Sequence, residues 1–300
     1  MKDFFTLLRP THWIKNVFVF VAIIFGRKLL GPSQEVLLTF ASATAGFVCF
    51  CLASSAVYIF NDIIDRKADR NHPQKSKRPI AAGTVPISHA AILSVICAII
   101  SIIASYQLNP QFCTIISVYL ALNILYSLNL KHAIILDVII IATGFVLRAI
   151  AGAVIIGVDI SPWLIICTFT LCLFIGFSKR FSELKILESK ASSFRDNLAE
   201  YTPPLLAHMM NVTSTLSIAT FLLYAMDRHT TELFGQYYLV YTAPLVFYCV
   251  FRFSALIQKG KYCDPVELIT KDRPFQIGLI LWAIACSSIV YFDKFDFLTR

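Results

Sequence analysis

Nine long apolar stretches constrain the fold of this 300-residue chain more than any other feature. Most of them approach the roughly 20 residues that a membrane-spanning helix needs. Charged residues make up only 15% of the chain and the mean hydropathy is +0.71, far from the composition of a soluble domain. The sequence therefore predicts an all-α integral membrane protein, a bundle of nine transmembrane helices. The stretches lie near residues 16–31, 36–60, 88–107, 110–129, 133–157, 161–178, 204–226, 237–257 and 274–292.

The distribution of lysine and arginine predicts the orientation of this bundle. With a cytoplasmic N-terminus, 19 of these residues fall in segments on the cytoplasmic side and five fall on the other. This asymmetry follows the positive-inside rule, so we expect the N-terminus to be cytoplasmic. The same asymmetry explains the net charge of +8, so this charge does not indicate a nucleic-acid partner. The cytoplasmic side would then carry loops at residues 61–87, 129–133, 178–203 and 258–274.

The chain has no linker, low-complexity run or appended polar region. One transmembrane domain over residues 1–300 is therefore the simplest prediction. Its two longest loops, 61–87 and 178–203, are expected on the same side, and each opens with charged residues directly after a span. We expect them to form two walls of one site at the membrane surface.

The clearest chemistry lies in the carboxylates that follow the second stretch. Asp62, Asp65 and Asp69 are spaced at intervals of three and four, so they share one face if the preceding helix continues through them. Three carboxylates on one face need a positive charge between them. Mg²⁺ takes one or two carboxylates and completes its shell with waters and phosphate oxygens. With Asn61 beside them, these residues predict a magnesium site.

Basic residues surround this aspartate set. Cations next to a bound metal describe a pocket for a diphosphate, because arginine pairs with phosphate oxygens bidentately and lysine acts as a point charge. The alternative is a solvated, charged loop whose positive residues only hold it on the cytoplasmic side. The cations are Arg66, Arg70, Lys75, Lys77 and Arg78.

Two ionisable residues interrupt the fifth apolar stretch. Asp137 and Arg148 are eleven residues apart, close to three helical turns, so they lie on one face of a helix. Their axial separation of about 16 Å is too long for a direct ion pair. Ionisable residues within spans usually face a cavity or a partner. A polar cavity entered from the cytoplasm is one interpretation, and a structural pairing with neighbouring helices is the other.

A short basic segment precedes the first apolar stretch. Arg9, His12, Lys15 and Asn16 recur at three- and four-residue spacing, as on one face of a short helix. Such a face could contact anionic headgroups at the membrane surface. Alternatively, Lys15 and Asn16 reach into the site and touch a phosphate.

Two later segments carry further charge on the same predicted side. Lys131 follows the fourth stretch and joins the cytoplasmic layer. The loop 258–274, which contains Asp264, Glu267 and Asp272, precedes the last stretch. It could act as a lid or be simply solvated, and the sequence does not separate these interpretations.

Several of these segments together resemble a known family. The run ND-x-x-D-x-x-x-D followed by HP-x-K-x-x-RPIAAG is similar to the first aspartate-rich motif of the UbiA superfamily of intramembrane prenyltransferases. The resemblance extends from end to end and is closest to the decaprenyl-phosphate phosphoribosyltransferase branch. Its motifs here are RPTHWIKN, YSLNLKH, LRAIAGA, SKRFSEL and DPVELITKDR. It implies nine transmembrane helices in a bacterial inner membrane, with a Mg²⁺-diphosphate site facing the cytoplasm.

The resemblance also implies a reaction. Typical members carry a second aspartate-rich motif, whereas SKRFSELK places cations there, which suits an anionic acceptor. The donor would be 5-phosphoribosyl diphosphate and the acceptor a polyprenyl phosphate in the bilayer, with pyrophosphate released and the anomeric carbon inverted; a homo-oligomer is left open. Asn61, Asp62, Asp65 and Asp69 would be the catalytic and metal-binding residues. The substrate-binding residues would be Lys15, Asn16, Arg66, Lys75, Arg78, Lys131, Asp137, Arg148, Lys179 and Arg180.

Two other functions remain open at this stage. A UbiA-type enzyme that moves a prenyl chain from its diphosphate to an aromatic acceptor would need metal-binding carboxylates in the second motif, where this chain has only Glu183 among cations. A transporter of anionic solutes or lipids would often show internal repeats and broken helices at mid-membrane. Neither feature is visible in the sequence.

Overall fold

A computed structural model describes residues 2–71, 75–188, 200–234, 237–262 and 265–298. Within these ranges the regular elements are all helices, which confirms the predicted all-α class. The chain forms two compact units. The first comprises Met1–Ile140 and Leu147–Asp159, and the second comprises Ile141–Val146 and Ile160–Arg300.

The first unit contains the N-terminal helices and the aspartate-rich segment. Its α-helices are α1 (Lys2–Leu7), α2 (Val21–Phe25), α3 (Ser33–Ile64), α4 (Arg66–Arg70), α5 (Pro79–Ala82), α6 (Ile87–Leu108) and α7 (Pro110–Leu128). Its 3₁₀ helices are Pro10–Phe20, Lys75–Lys77 and Leu130–His132. The next helix, α8 (Leu136–Ile156), has residues in both units.

The second unit contains the C-terminal helices. They are α9 (Pro162–Glu188), α10 (Pro203–Met226), α11 (Arg228–Phe234), the 3₁₀ helix Tyr237–Thr242, α12 (Ala243–Gln258), α13 (Pro265–Lys271) and α14 (Arg273–Leu298). Threonine hydroxyls join α9 to α10, where Thr170 and Thr220 lie 3.1 Å apart. Such bonds between small polar residues are typical of helices that pack within a membrane.

Eight of the nine predicted spans have helices in the described residues that are long and apolar enough to cross a membrane. The first predicted span, near residues 16–31, differs. Its apolar helix covers only Pro10–Phe25, which is short of the roughly 20 residues required. The helix ends there because Arg27 takes a left-handed conformation with φ 55°. The orientation across the membrane stays a prediction.

The core of the first unit packs the N-terminal segment, which we define as residues 8–20, against long helices. Phe50 of α3 contacts the rings of Phe112 and Tyr119 on α7 edge to face, with centroids 6.0 and 5.4 Å apart. Val19, from the N-terminal segment, is fully buried in the same cluster. Gly152 on α8 lies directly against the Val19 backbone. The cluster therefore fixes the segment between α3 and α8.

Serine hydroxyls fix α6 against α3. Ser94 donates to the carbonyl oxygen of Ala56 and Ser101 donates to that of Cys49, each at 2.8 Å. A hydroxyl that bonds a neighbouring helix carbonyl satisfies its own polarity in an apolar environment. These bonds hold the helix whose end carries the aspartates.

Candidate active site

The aspartate set lies where α3 ends. Asp62 is in the last turn of α3, Asp65 is the junction residue, and Asp69 belongs to the short helix α4. The three aspartates therefore do not lie on one continuous helix. The helix α3 ends before Asp65, and α4 begins after it. Asp62 and Asp69 are both buried, each with 3% of its surface exposed.

Arg78 joins two of these carboxylates. Its Nη1 donates to Asp62 Oδ1 at 2.9 Å and to Asp69 Oδ2 at 2.6 Å. Lys75 adds a longer ion pair to Asp69, at 3.9 Å. One nitrogen thus bridges two carboxylates that are seven residues apart in sequence. The residues predicted to bind diphosphate and those predicted to bind metal are therefore in direct contact.

Arg9 is a member of this site that the sequence prediction did not include. Its Nη2 donates to Asp62 Oδ1 at 2.5 Å, and its guanidinium lies over the ring of Tyr58, 5.1 Å from the centroid. The backbone of Arg9 has φ 51° and ψ 58°, a left-handed conformation that is uncommon for a residue with a side chain. Such backbone strain is found preferentially at functional sites.

Hydrogen bonds from α3 to the N-terminal segment hold Arg9 in place. Ser55 donates to the carbonyl oxygen of Leu8 at 2.8 Å and accepts from Trp13 Nε1 at 3.1 Å. One serine therefore bonds the segment on both sides of Arg9. The basic spacing in the sequence was a signal that Arg9 belonged to a functional face, but its contact with Asp62, 53 positions along the chain, required the folded structure.

Asp65 has its own partners. Asn61 Nδ2 donates to its Oδ2 at 3.0 Å, and Lys131 forms an ion pair with its Oδ1. Lys131 comes from the 3₁₀ helix after α7. The structure thus brings Lys131 to the aspartate set, and the position of both on the cytoplasmic side stays a prediction.

The described residues contain no group of three or more His, Cys, Asp or Glu side chains that could hold a metal by themselves. The aspartates are therefore not gathered into a closed cage. Asp62 and Asp69 nevertheless present two hard oxygen donors to one shared cation, the Arg78 nitrogen. This fits Mg²⁺, which is usually held by one or two carboxylates together with waters and substrate phosphates.

The other cations of this segment differ in role. Arg70 Nε donates to the carbonyl oxygen of Ala81 at 3.1 Å and so closes the loop structurally. Arg66 Nε is buried, with no hydrogen-bond partner among the described residues. A buried donor of this kind is costly unless a ligand or water satisfies it.

Asn16 and Arg148 meet inside the first unit. Arg148 donates from Nε to Asn16 Oδ1 at 2.8 Å and from Nη2 to the Tyr119 hydroxyl at 2.9 Å. Asn16 donates in turn to Ser54 Oγ and Cys51 Sγ, each at 3.3 Å. Asn16 is fully buried and Arg148 is 5% exposed. This network favours the structural interpretation of Arg148, and a substrate contact for either residue stays a prediction.

Two further predicted residues belong to the first unit. Asp137 is fully buried in the first turn of α8, two residues after Ile135, which has φ 67°. Lys15 is half-buried beside Asn16 in the N-terminal segment. For Asp137 and Lys15, contact with substrate stays a prediction.

Lys179 and Arg180 lie in a helix, because α9 continues to Glu188. The predicted loop 178–203 is thus wrong in its first part. The sequence SKRFSELK contains good helix formers, and Arg180 donates to Glu183 at 2.7 Å, an i,i+3 pair that stabilises a helix. Arg180 is buried, whereas Lys179 is exposed. Residues 189–199 of the predicted loop lie outside the described residues, and α10 begins at Pro203.

The predicted loop 258–274 is anchored at Asp272. This residue accepts from Arg252 Nε at 2.6 Å and Nη2 at 3.0 Å, from the Tyr262 hydroxyl at 3.2 Å and from the backbone N–H of Phe275 at 2.9 Å. The bonds from Arg252, with those from Phe275 and Tyr262, lower the pKa of the Asp272 carboxyl to about 2. Asp272 is therefore a buried anchor and not a solvated residue. Asp264 lies outside the described residues.

Known structures share this fold. A UbiA homologue from Archaeoglobus fulgidus, bound to DMAPP and Mg²⁺, superposes with a TM-score of 0.68 at 18% identity, covering 95% of this chain and 97% of its own. A structure of digeranylgeranylglyceryl phosphate synthase superposes with a TM-score of 0.66 at 16% identity, covering 97% of this chain and 99% of its own.

Sequence comparison gives closer relatives. The decaprenyl-phosphate phosphoribosyltransferase of Mycolicibacterium smegmatis is 32% identical, covering 95% of this chain and 92% of its own length. The proteins of the same name from Corynebacterium glutamicum and Mycobacterium tuberculosis (strain H37Rv) are 31% and 30% identical, covering 95% of this chain and 85% and 93% of their own lengths. The family model described as "UbiA prenyltransferase family" matches residues 17–266. The chain therefore belongs to the UbiA prenyltransferase family.

Proposed function

We propose that this protein transfers the 5-phosphoribosyl group of 5-phosphoribosyl diphosphate to a polyprenyl phosphate and releases pyrophosphate. The observation that carries this proposal is the contact between carboxylates and cations at the end of α3, where Arg78 bridges Asp62 and Asp69. Such a site suits a diphosphate that arrives with a hard cation. Relatives that are 30 to 32% identical over 95% of this chain are named decaprenyl-phosphate phosphoribosyltransferase, and they support the choice of donor and acceptor.

The roles of the residues follow from their chemistry. Asp62 and Asp69 would hold Mg²⁺, with Asn61 and Asp65 beside them. Bound Mg²⁺ would neutralise the charge that develops on the departing diphosphate. Arg66, Lys75 and Arg78 would donate to the diphosphate or to the 5-phosphate, and Lys131 would hold a neighbouring phosphate oxygen.

The acceptor needs no general base. A phosphate monoester is largely ionised near neutral pH, because its second pKa is about 6. One of its oxygens can attack the anomeric carbon directly from the face opposite the leaving diphosphate. The bond from that carbon to the diphosphate oxygen breaks as the new bond to the lipid phosphate forms. The α configuration of the donor would therefore become β in the product.

We place this reaction at the cytoplasmic side of a bacterial inner membrane. The concentration of lysine and arginine in the predicted cytoplasmic segments supports this orientation. The polyprenyl chain would lie in the bilayer, while the water-soluble donor arrives from the cytoplasm.

Lys179 and Arg180 are proposed to bind phosphate. Changing either residue to alanine is expected to raise the apparent KM for donor or lipid phosphate by about 10- to 100-fold, since a charge-assisted contact contributes about 1.5 to 3 kcal/mol. Initial rates over a range of each substrate would measure the change. Arg228→Ala is the matched control, because Arg228 is exposed and pairs with Glu232 on the same short helix. Unchanged KM values in both variants would show that neither residue binds a substrate phosphate.

Prenyl transfer to an aromatic acceptor is the second candidate. The UbiA homologues from Archaeoglobus fulgidus that are bound to DMAPP or GPP with Mg²⁺ favour it, since they share this architecture. The two candidates differ in donor, so one experiment tests both. Purified protein is incubated with labelled phosphoribosyl diphosphate and polyprenyl phosphate, and in parallel with polyprenyl diphosphate and 4-hydroxybenzoate. We expect product only from the first pair.

A further inference from the structure

The carboxylates at the end of α3 are bonded to cations of the protein itself. Asp62 Oδ1 accepts from two guanidinium groups, those of Arg9 and Arg78. Asp69 Oδ2 accepts from the same Arg78 nitrogen. Asp65 is paired with Lys131. All three members of the aspartate set are therefore neutralised by side chains from other segments of the first unit.

These ion pairs compete with any metal that coordinates the same oxygens. Asp62 and Asp69 are almost fully buried, so their bonds to Arg78 are weakly screened by solvent. A divalent cation that takes both carboxylates must displace the Arg78 nitrogen from between them. It must also share Asp62 Oδ1 with Arg9 or displace it. The displaced guanidinium groups would then be charged and without an anion, which is costly in a buried site.

A diphosphate relieves this cost. Its oxygens match the planar, forked donors of arginine, so Arg9 and Arg78 can exchange a carboxylate for a phosphate partner without losing charge-assisted bonds. The metal gains the carboxylates in the same event. Each ligand thus makes the binding of the other more favourable, and such coupling is reciprocal.

We propose that Arg9 and Arg78 are exchangeable counter-ions, which make metal and diphosphate binding interdependent at this site. Arg9 suits the role because the Ser55 bonds to Leu8 and Trp13 fix its backbone while its guanidinium rests on Tyr58. Its side chain can therefore change partner without release of the segment. This inference rests on the proposed function, because it takes a metal-bound diphosphate as the donor group.

Mn²⁺ can report on this coupling in place of Mg²⁺. The full-length protein in detergent is titrated with Mn²⁺, with and without pyrophosphate. The Mn²⁺ retained with the protein on a filter is measured, and the amount retained in a protein-free blank is subtracted. These values give the affinity of the protein for Mn²⁺. For the wild type we expect Mn²⁺ alone to bind weakly and pyrophosphate to tighten its binding by about tenfold or more, the scale of one charge-assisted contact.

Removing either arginine should change both the affinity for Mn²⁺ alone and its enhancement by pyrophosphate. Arg9→Gln and Arg78→Gln are expected to bind Mn²⁺ alone several-fold more tightly than the wild type, because a competing cation is gone. The enhancement by pyrophosphate should fall towards unity, because a phosphate ligand is gone as well. Arg228→Gln, which removes an exposed charge elsewhere, should behave as the wild type.

The sign of the change separates this role from a structural one. If the arginines only support the carboxylates, both variants should bind Mn²⁺ alone more weakly, and that result would overturn the proposal. Equal Mn²⁺ affinity of the wild type with and without pyrophosphate would overturn it too, and this comparison needs no variant if Arg9→Gln fails to fold. Failure of the proposed function is read separately, as absence of phosphoribosyl transfer in a protein whose metal binding still responds to pyrophosphate.

Discussion

Asp62→Asn is expected to lower turnover by about 100-fold or more, the scale seen when a group that supports a metal or a developing charge is removed. Asp62 is buried, and its Oδ1 is the atom that both Arg9 and Arg78 contact. Asparagine keeps the shape of the side chain but loses the negative charge. The site would then hold a metal poorly and would leave two guanidinium groups with a weaker partner.

The measurement is the initial rate of pyrophosphate release with both substrates saturating, together with the melting temperature of the detergent-purified protein. A modest loss of stability, about 1 to 3 kcal/mol, is expected from the weakened ion pairs. Glu232→Gln is the matched control, since it removes an exposed carboxylate that pairs with Arg228 on the same short helix. Turnover of Asp62→Asn within twofold of wild type would remove Asp62 from the catalytic site.

Gly152→Ala is expected to destabilise the protein severely, by at least about 3 kcal/mol, because overpacking against a rigid backbone forces elements apart. A Cβ at this position would lie 2.8 Å from the carbonyl carbon of Val19 and closer still to its oxygen. The helix α8 or the N-terminal segment would have to move, and the segment also carries Arg9. We therefore expect little monodisperse protein and loss of activity in what remains.

Gly31→Ala provides the comparison for this variant. The nearest atom to a Cβ at Gly31 is a side-chain methyl of Val36 at 3.9 Å, which is ordinary contact. Size-exclusion profiles and melting temperatures of both variants would be compared with the wild type. A Gly152→Ala protein as stable as Gly31→Ala would show that the close approach of α8 to Val19 is not required.

Most of the helical architecture was predictable from the sequence because apolar length is a strong signal. Eight predicted spans correspond to long apolar helices. The boundaries were less predictable. The helix Pro10–Phe25 ends before its predicted apolar stretch does, because a left-handed residue, Arg27, follows it. Conversely, α9 extends beyond its apolar stretch because Arg180 and Glu183 pair along the helix.

The candidate site was predictable where its residues are close in sequence. The spacing of Asp62, Asp65 and Asp69 with the following cations was enough to place the aspartate set at a helix end. Arg9 could not be assigned, because its contact with Asp62 depends on how the N-terminal segment folds along α3. For Arg148 the sequence left a polar cavity and a pairing with neighbouring helices open, and only the structure places it beside Asn16 and Tyr119. Long-range partners of this kind have no local signal.

The most direct measurement is the product formed from competing donors. Purified protein is given phosphoribosyl diphosphate, polyprenyl diphosphate, polyprenyl phosphate and 4-hydroxybenzoate together with Mg²⁺, and the lipid products are identified by mass spectrometry. We expect a polyprenyl phosphoribose with β configuration at the anomeric carbon and one pyrophosphate released for each lipid formed. A prenylated aromatic product, without any phosphoribosyl lipid, would contradict the proposed reaction.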